Sequence, residues 1–528
     1  MPLVEINDLD RFGVIKDVVP YMMPPEAFSH GLNVRIQDGG IERLEGKAQV
    51  FGTPPIAPHF AIAIASTSQV YWLYVSLNKA YVFDGSVHTN ITRQSAGVDV
   101  DYTTALTREW NGTLLGGVPL LNNGTDLPQY WADLNPSTTN LANLPNWPTT
   151  ARTKVLRGYG PYLVALNITK SSINYPHMVK WSHPADPGSI PISWDHTDPT
   201  KDAGEYDLPD AHAGVIVEGG GLRDHFFVFK EGSVWRMAIT GSSAIFDFEV
   251  FLETTGILAS RCFAYTSDGM RQVFASQDDI LVHNGNTAES ILDRRMRRYL
   301  FNQISTSNYR NCFMFTNPFK DEVWFCYPEN GFTNPNRALI WNYREGEKGA
   351  ITEADVNFRN AAPGTIEGAS AATWDTVVGT WDSYVGAWSI AARRKTLLCA
   401  TDSTKFLQLD VGSTNDGAAY TATLQREGLS VEGKKRNGDW IVDFASQKLV
   451  TRVYFKIEGG PVDIRLGFQD LVDGPVTWTQ AQSFNPATQM WLDFAASGKA
   501  IAIEFQTTAS VPWKLLGYKL EMALISRF

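Results

Sequence analysis

Residues 225–251 read HFFVFKEGSVWRMAITGSSAIFDFEVF. Three apolar runs, Phe226–Phe229, Val234–Ile239 and Ile245–Phe251, are separated by turn residues at Glu231-Gly232 and Gly241. Each run is too short for a stable helix, and aromatic and β-branched side chains suit a pleated, half-buried surface. Glycine supplies the backbone conformations that tight turns need. The stretch therefore reads as a three-strand meander.

The same layout recurs along the chain. QVYWLYVSLNKAYVFDGSVHTNIT gives strands at Val70–Ser76 and Ala80–Phe83 around Leu77-Asn78-Lys79, with a further turn at Gly85. RQVFASQDDILVHNGNTAESI, DEVWFCYPENGFTNPNRALIWNYREGEKGAIT and KTLLCATDSTKFLQLD follow suit, and KVLRGYGPYLVALNI is a weaker copy. Strand–turn–strand units repeated some tens of residues apart mark a repeat architecture such as a β-propeller. The expected fold is all-β, an irregular propeller of six or seven blades over residues 61–415. Residues 1–60 read as a Pro-rich arm with one hairpin around Asp38-Gly39-Gly40. Residues 416–528 alternate as a closing blade or β-sandwich.

Composition agrees. Of 528 residues 44% are hydrophobic and 12% aromatic, with 43 Gly and 27 Pro, enough for a large core and many turns. The formal charge is −11, the opposite of the basic surface that tight nucleic-acid binding requires. Cys262, Cys312, Cys326 and Cys399 form no CxxC pair and read as buried free thiols. The opening MPLVEINDLDRFGVIKD lacks a basic start followed by an apolar run, which predicts no secretory leader. Apolar runs fall short of the ~18–20 residues of a helical membrane span.

Two features stand apart from the blades. ESILDRRMRRYLFNQIS, 289–305, places Ile291, Leu292, Met296, Tyr299 and Leu300 on one helical face, with Arg294, Arg295, Arg297 and Arg298 around the rest. The arginines either face solvent beside carboxylates or contact an acidic partner. TWDTVVGTWDSYVGAW, 373–388, spaces Trp374, Trp381 and Trp388 seven residues apart. Gly379 and Gly386 argue against a coiled coil, so the indoles pack on a blade face or a neighbouring subunit, or stack on sugar.

No nucleotide-binding, zinc-protease or serine-hydrolase motif occurs, and no cofactor is expected. The richest polar stretch, Trp181 to His212, carries His183, Asp195, His196, Asp198, Asp202, Glu205, Asp207 and Asp210. It reads first as a solvated loop; calcium ligation or a glycosidase acid pair are the alternatives.

Several phrases resemble one family. VKWSHPADPGSIPISWDHTDPTKDAGEYDL, LRDHFFVFKEGSVWRM, DDILVHNGNTAESILDRRMRRYLF, NPFKDEVWFCYPE, the Trp repeat and the closing GKAIAIEFQTTASVPWKLLGYKLEM are similar to the nozzle, or tail tubular protein B, of short-tailed phages (podoviruses). The resemblance runs from about Gly13 to the C-terminus. It implies a non-enzymatic virion protein, assembled in the bacterial cytoplasm as a homohexamer on the tail axis. Its partners would be a tail adaptor ring and tail fibres or tail-tip proteins. Genomic DNA would pass through without specific binding, and no membrane insertion is implied. The arginine cluster and the three tryptophans are the candidate subunit or adaptor contacts. A receptor-binding, adhesin-like propeller recognising host surface glycan is the competing expectation.

Overall fold

A computed structural model describes residues 3–65, 70–104, 109–241, 244–346, 348–366, 394–401, 403–436, 438–471 and 474–526. Trp374, Trp381 and Trp388 lie outside the described residues.

The 225–251 meander folds as read, with strands His225–Lys230, Val234–Ile239 and Phe246–Leu252. An inner strand, Ile216–Leu222, precedes them and completes a four-stranded antiparallel sheet. Among the described residues seven such units follow one another. Their first strands are Phe60–Ala65, Asn111–Leu115, Ala151–Tyr159, Ile216–Leu222, Phe263–Tyr265, Phe313–Asn317 and Phe358–Thr365. Apolar clusters fill the gaps between successive sheets, from the first–second pair round to the seventh–first pair, one of them running on from the fourth–fifth and fifth–sixth gaps into the sandwich. In the last of these, Ala61, Trp72 and Tyr74 of the first sheet meet Ala362, Leu397 and Phe406 of the seventh. The sheets close a ring, a seven-bladed β-propeller.

Glycine allows the inner strands to approach. A Cβ on Gly220 would lie 2.8 Å from the Phe263 ring and from the Tyr265 hydroxyl, in the next blade. On Gly364 it would lie 2.4 Å from Ala63, across the closing seam. Real side chains do not fit at these distances, so the wedge of blades narrows where glycine stands.

The N-terminal residues are no free arm. Lys47–Val50 forms the outermost strand of the seventh blade, paired to Phe406–Leu409. Leu3–Ile6 and the hairpin Val34–Gln37/Gly40–Arg43 join one sheet of a C-terminal sandwich along Trp513–Ser526. Asp38 and Gly39 make that hairpin's two-residue turn, both at positive φ (51° and 73°). Gln447–Gly459 and Trp491–Gly498 complete this sheet. The facing sheet holds Ala422–Leu429, Ala500–Thr507 and Val462–Gln469. His30–Leu32 runs parallel to the sixth blade at Leu32/Glu353 and antiparallel to Ala422–Leu429. This short strand fuses blade and sandwich into one ten-stranded sheet.

Arg35, on the hairpin, is fully buried. Its Nε donates to Glu322 Oε1 at 2.5 Å and its Nη2 to Asp410 Oδ1 at 2.7 Å. Glu322 belongs to the sixth blade and Asp410 ends a strand of the seventh. Asn317 Nδ2 donates to Asp410 and Trp324 Nε1 to Glu322. All four cysteines are free and buried, and burial pushes the Cys262 and Cys399 thiols up to about 12.

Two stability outcomes follow. Arg35→Met strands two carboxylates and should cost about 3–5 kcal/mol in urea unfolding, whereas a loss below about 1 kcal/mol would contradict the three-way tie. His283 is buried among Phe227, Phe229, Phe251 and Phe274 with neither ring nitrogen bonded. Burial lowers its pKa from 6.5 to about 4. The unfolded chain therefore binds a proton the native chain refuses, and stability falls as pH drops from 6.5 towards 4, by up to about 1.4 kcal/mol per pH unit. His283→Phe should flatten that slope; an unchanged slope in paired denaturation curves would refute the assignment.

Candidate functional site

The arginine helix, α1, spans Asp293–Gln303 and buries Met296 and Leu300. Its four arginines divide into two pairs. Arg295 turns inward, its guanidinium donating to the carbonyls of Gly349 (2.7 Å), Lys348 (3.3 Å) and Phe12 (3.5 Å). The Arg295 carbonyl accepts from the backbone of Lys16 (2.6 Å) and Asp17 (2.9 Å), and the Asp17 carboxylate accepts from the Arg298 and Tyr299 amides. Arg297 binds Asp278 in the fifth blade. Arg294 and Arg298 are exposed, with no carboxylate partner among the described residues. Sequence periodicity located the helix; which guanidinium faces outward depends on contacts with residues 12–17 and 348–349.

The polar stretch from Trp181 is a loop closed by the outer strand Gly204–Asp207 of the third blade. Four of its acids are committed to local structure. Asp195 accepts from Thr197, and Asp198 from Thr200, each through backbone and hydroxyl. Glu205 accepts from Lys170 (2.6 Å) and Lys180 (3.1 Å). Burial alone would raise its pKa, but these two lysines outweigh it and hold the carboxyl below its ordinary value. Asp210 accepts from Lys230, Ser233 and Trp235, with the same balance of burial against hydrogen bonds. No group of three metal-ligand side chains converges among the described residues. The loop borders two grooves of about 760 and 530 Å³, which share His196; the larger carries a stacked Tyr206–Phe248 pair at 4.6 Å.

A site the sequence did not announce lies on the propeller axis. Glu218, fully buried on the fourth blade's inner strand, accepts from Arg157 Nη2 (3.0 Å), Ser260 Oγ (3.0 Å) and the Arg261 amide (3.1 Å). These groups belong to the third and fourth blades and the approach to the fifth. Arg261 Nε and Nη1 are buried without hydrogen-bond partners. Above this cluster, on the face where the inner strands begin, is a cavity of about 290 Å³. Glu109, Lys154, Asn167, Glu231, Tyr309 and Arg310 line it, drawn from around five successive blades. A lone acid before three glycines, Glu218-Gly219-Gly220-Gly221, was the one available sequence signal.

No family model matches the chain, and no curated protein matches it. Among solved structures it is similar to the β-propeller domain of Cps50 (Swd1) from Myceliophteria thermophila. That match has 9% identity and a TM-score of 0.39, covering 69% of this chain and 99% of the other. It is also similar to PorZ of Porphyromonas gingivalis, an essential bacterial surface component of the type-IX secretion system. Identity there is 10% and the TM-score 0.35, covering 86% of this chain and 46% of the other. Similarities at this level carry no functional weight.

Removing Glu218 by Glu218→Ala leaves Arg157 uncompensated and should cost about 3–5 kcal/mol, whereas Asp198→Ala, at an exposed turn, should cost far less. Comparable losses at the two positions in denaturant titrations would contradict this ranking. Chelation with EDTA should leave Tm unchanged; a fall in Tm would return the acidic loop to consideration as a cation site.

Proposed function

We propose that this chain is a structural subunit of a short phage tail, a nozzle protein whose copies surround the channel through which genomic DNA leaves. The observation that carries the reading is the anchoring of α1. Arg295 and Arg297 fix the helix to the turn before Gly349 and to the fifth blade, which leaves Arg294 and Arg298 outward on a rigid support. In a chain of net charge −11, two outward guanidiniums suit an acidic face on an identical neighbour. Contacts of that heterologous kind, repeated by rotation, close a ring.

The propeller's own axis is not the proposed conduit, since Glu218 sits buried among its inner strands, bonded to Arg157 and the Arg261 amide. The channel would be formed between copies. Duplex DNA carries one charge per ~1.7 Å of axis, and a like-charged wall within a Debye length of ~8 Å would repel it. Such a wall passes DNA without holding it. The fusion of sandwich and sixth blade into one sheet supplies the stiffness a conduit wall needs.

Light scattering on the purified chain, alone and mixed with a tail adaptor ring, tests the proposal. The expected result is a ring of identical subunits, or stoichiometric capture by the adaptor. Arg294→Glu with Arg298→Glu should weaken assembly by about tenfold or more while leaving the Tm of the isolated chain unchanged. A wild-type monomer that ignores the adaptor would overturn the reading.

A further inference from the structure

We propose that the axial cavity on the inner-strand face is a binding site for a neutral saccharide of one or two rings. Asn167 provides the first observation. It sits at a register shift of the third blade's second strand, with φ of 56°, a conformation side chains other than glycine seldom adopt. Bulges of this kind re-aim a side chain, and backbone strain of this kind clusters at ligand sites. Asn167 is nine-tenths buried, and its Nδ2 donates to the Ile216 carbonyl at 2.9 Å. That bond fixes the amide's orientation, so the atom left without a partner is the acceptor, Oδ1.

Glu109, which precedes the second blade, lines the same cavity, and its Oε2 is also buried without a partner. Two unpartnered acceptors from different blades thus share one cavity. Leaving such groups unsatisfied costs about 1–3 kcal/mol each, so they call for a donor. Lys154 and Arg310 border the same space as donors, Arg310 Nε also donating to the Tyr309 hydroxyl at 3.2 Å. A cation would meet Lys154 and Arg310, and an anion would meet Glu109 and Glu231. Sugar hydroxyls serve both sets, one donating to Asn167 and another to Glu109, with their lone pairs open to Lys154. The half-buried Tyr309 ring offers an apolar surface for a sugar face. The volume, about 290 Å³, suits a mono- or disaccharide. The site is independent of ring formation, so either proposal can fail alone.

Saturation-transfer NMR on the full chain would use the methyl glycosides of glucose, galactose and N-acetylglucosamine, with glycine as a zwitterionic comparison. At least one glycoside should bind with Kd of about 0.1–10 mM, and Glu109→Gln and Asn167→Gly should each weaken it about tenfold. Glycine at position 167 keeps the positive φ while deleting the amide. Should that variant not fold, the isosteric Glu109→Gln decides. No glycoside signal at about 10 mM, undiminished signal in the folded variants, or binding of glycine in place of the glycosides would overturn the proposal.

Discussion

Arg35 is the point at which three parts of the molecule become one. Its guanidinium, withdrawn from water, meets both of its carboxylates only when the N-terminal hairpin, the sixth blade and the seventh blade are all in place. Against well-packed apolar residues such a buried triad adds little net stability. Its effect lies in what it forbids. Any arrangement that omits one partner leaves an unpaired charge in the interior, so the sandwich cannot dock on the propeller at another register or angle without a heavy penalty. The Lys47–Val50 strand and the His30–Leu32 stitch flank the hairpin in sequence, so placing one helps place the others.

Legibility in the sequence followed the distance over which each element finds its partners. The outer hairpins were readable because strand, turn and strand are contiguous: Phe226–Phe229 and Val234–Ile239 lie within residues of their folded bounds. Most inner strands were not, since packing at the axis selects small residues. Gly219-Gly220-Gly221 erases the alternation that marks a strand elsewhere. The second blade escaped notice for a related reason, because its outer strands Gln129–Tyr130 and Ala142–Asn143 are two residues each. The N-terminal segment looked like an arm because its partners, such as Glu353 for Leu32, lie hundreds of residues away. In the candidate sites, periodicity gave the α1 face. No pattern marks Asn167, whose role comes from a bulge, or Glu109, whose neighbours come from other blades.

Charge is distributed in two regimes. At the blade edges acids meet lysines and threonines close in sequence, which consumes them in local turns and pairs. On the axis the pairing is long-range and incomplete: one carboxylate, Glu218, sits beside Arg157 and Arg261. This cluster holds two guanidiniums to one carboxylate in a chain whose net charge is −11.

The seventh blade has a consequence for biosynthesis. Its last strand, Lys47–Val50, leaves the ribosome first but pairs with Phe406–Leu409, and the N-terminal strands of the sandwich wait for Trp513–Ser526. Blades one to six can form in order as they emerge, yet the ring cannot close until Phe406–Leu409 has been made. During that interval the N-terminal strands and the open edges of the incomplete ring are unpaired templates for wrong association. Closure is thus a late, non-local step, slow to form because of the large loop it shuts. Once shut, unzipping from either end requires breaking a strand pair, the Arg35 tie and the sandwich together. A barrier of that kind gives the closed ring kinetic persistence.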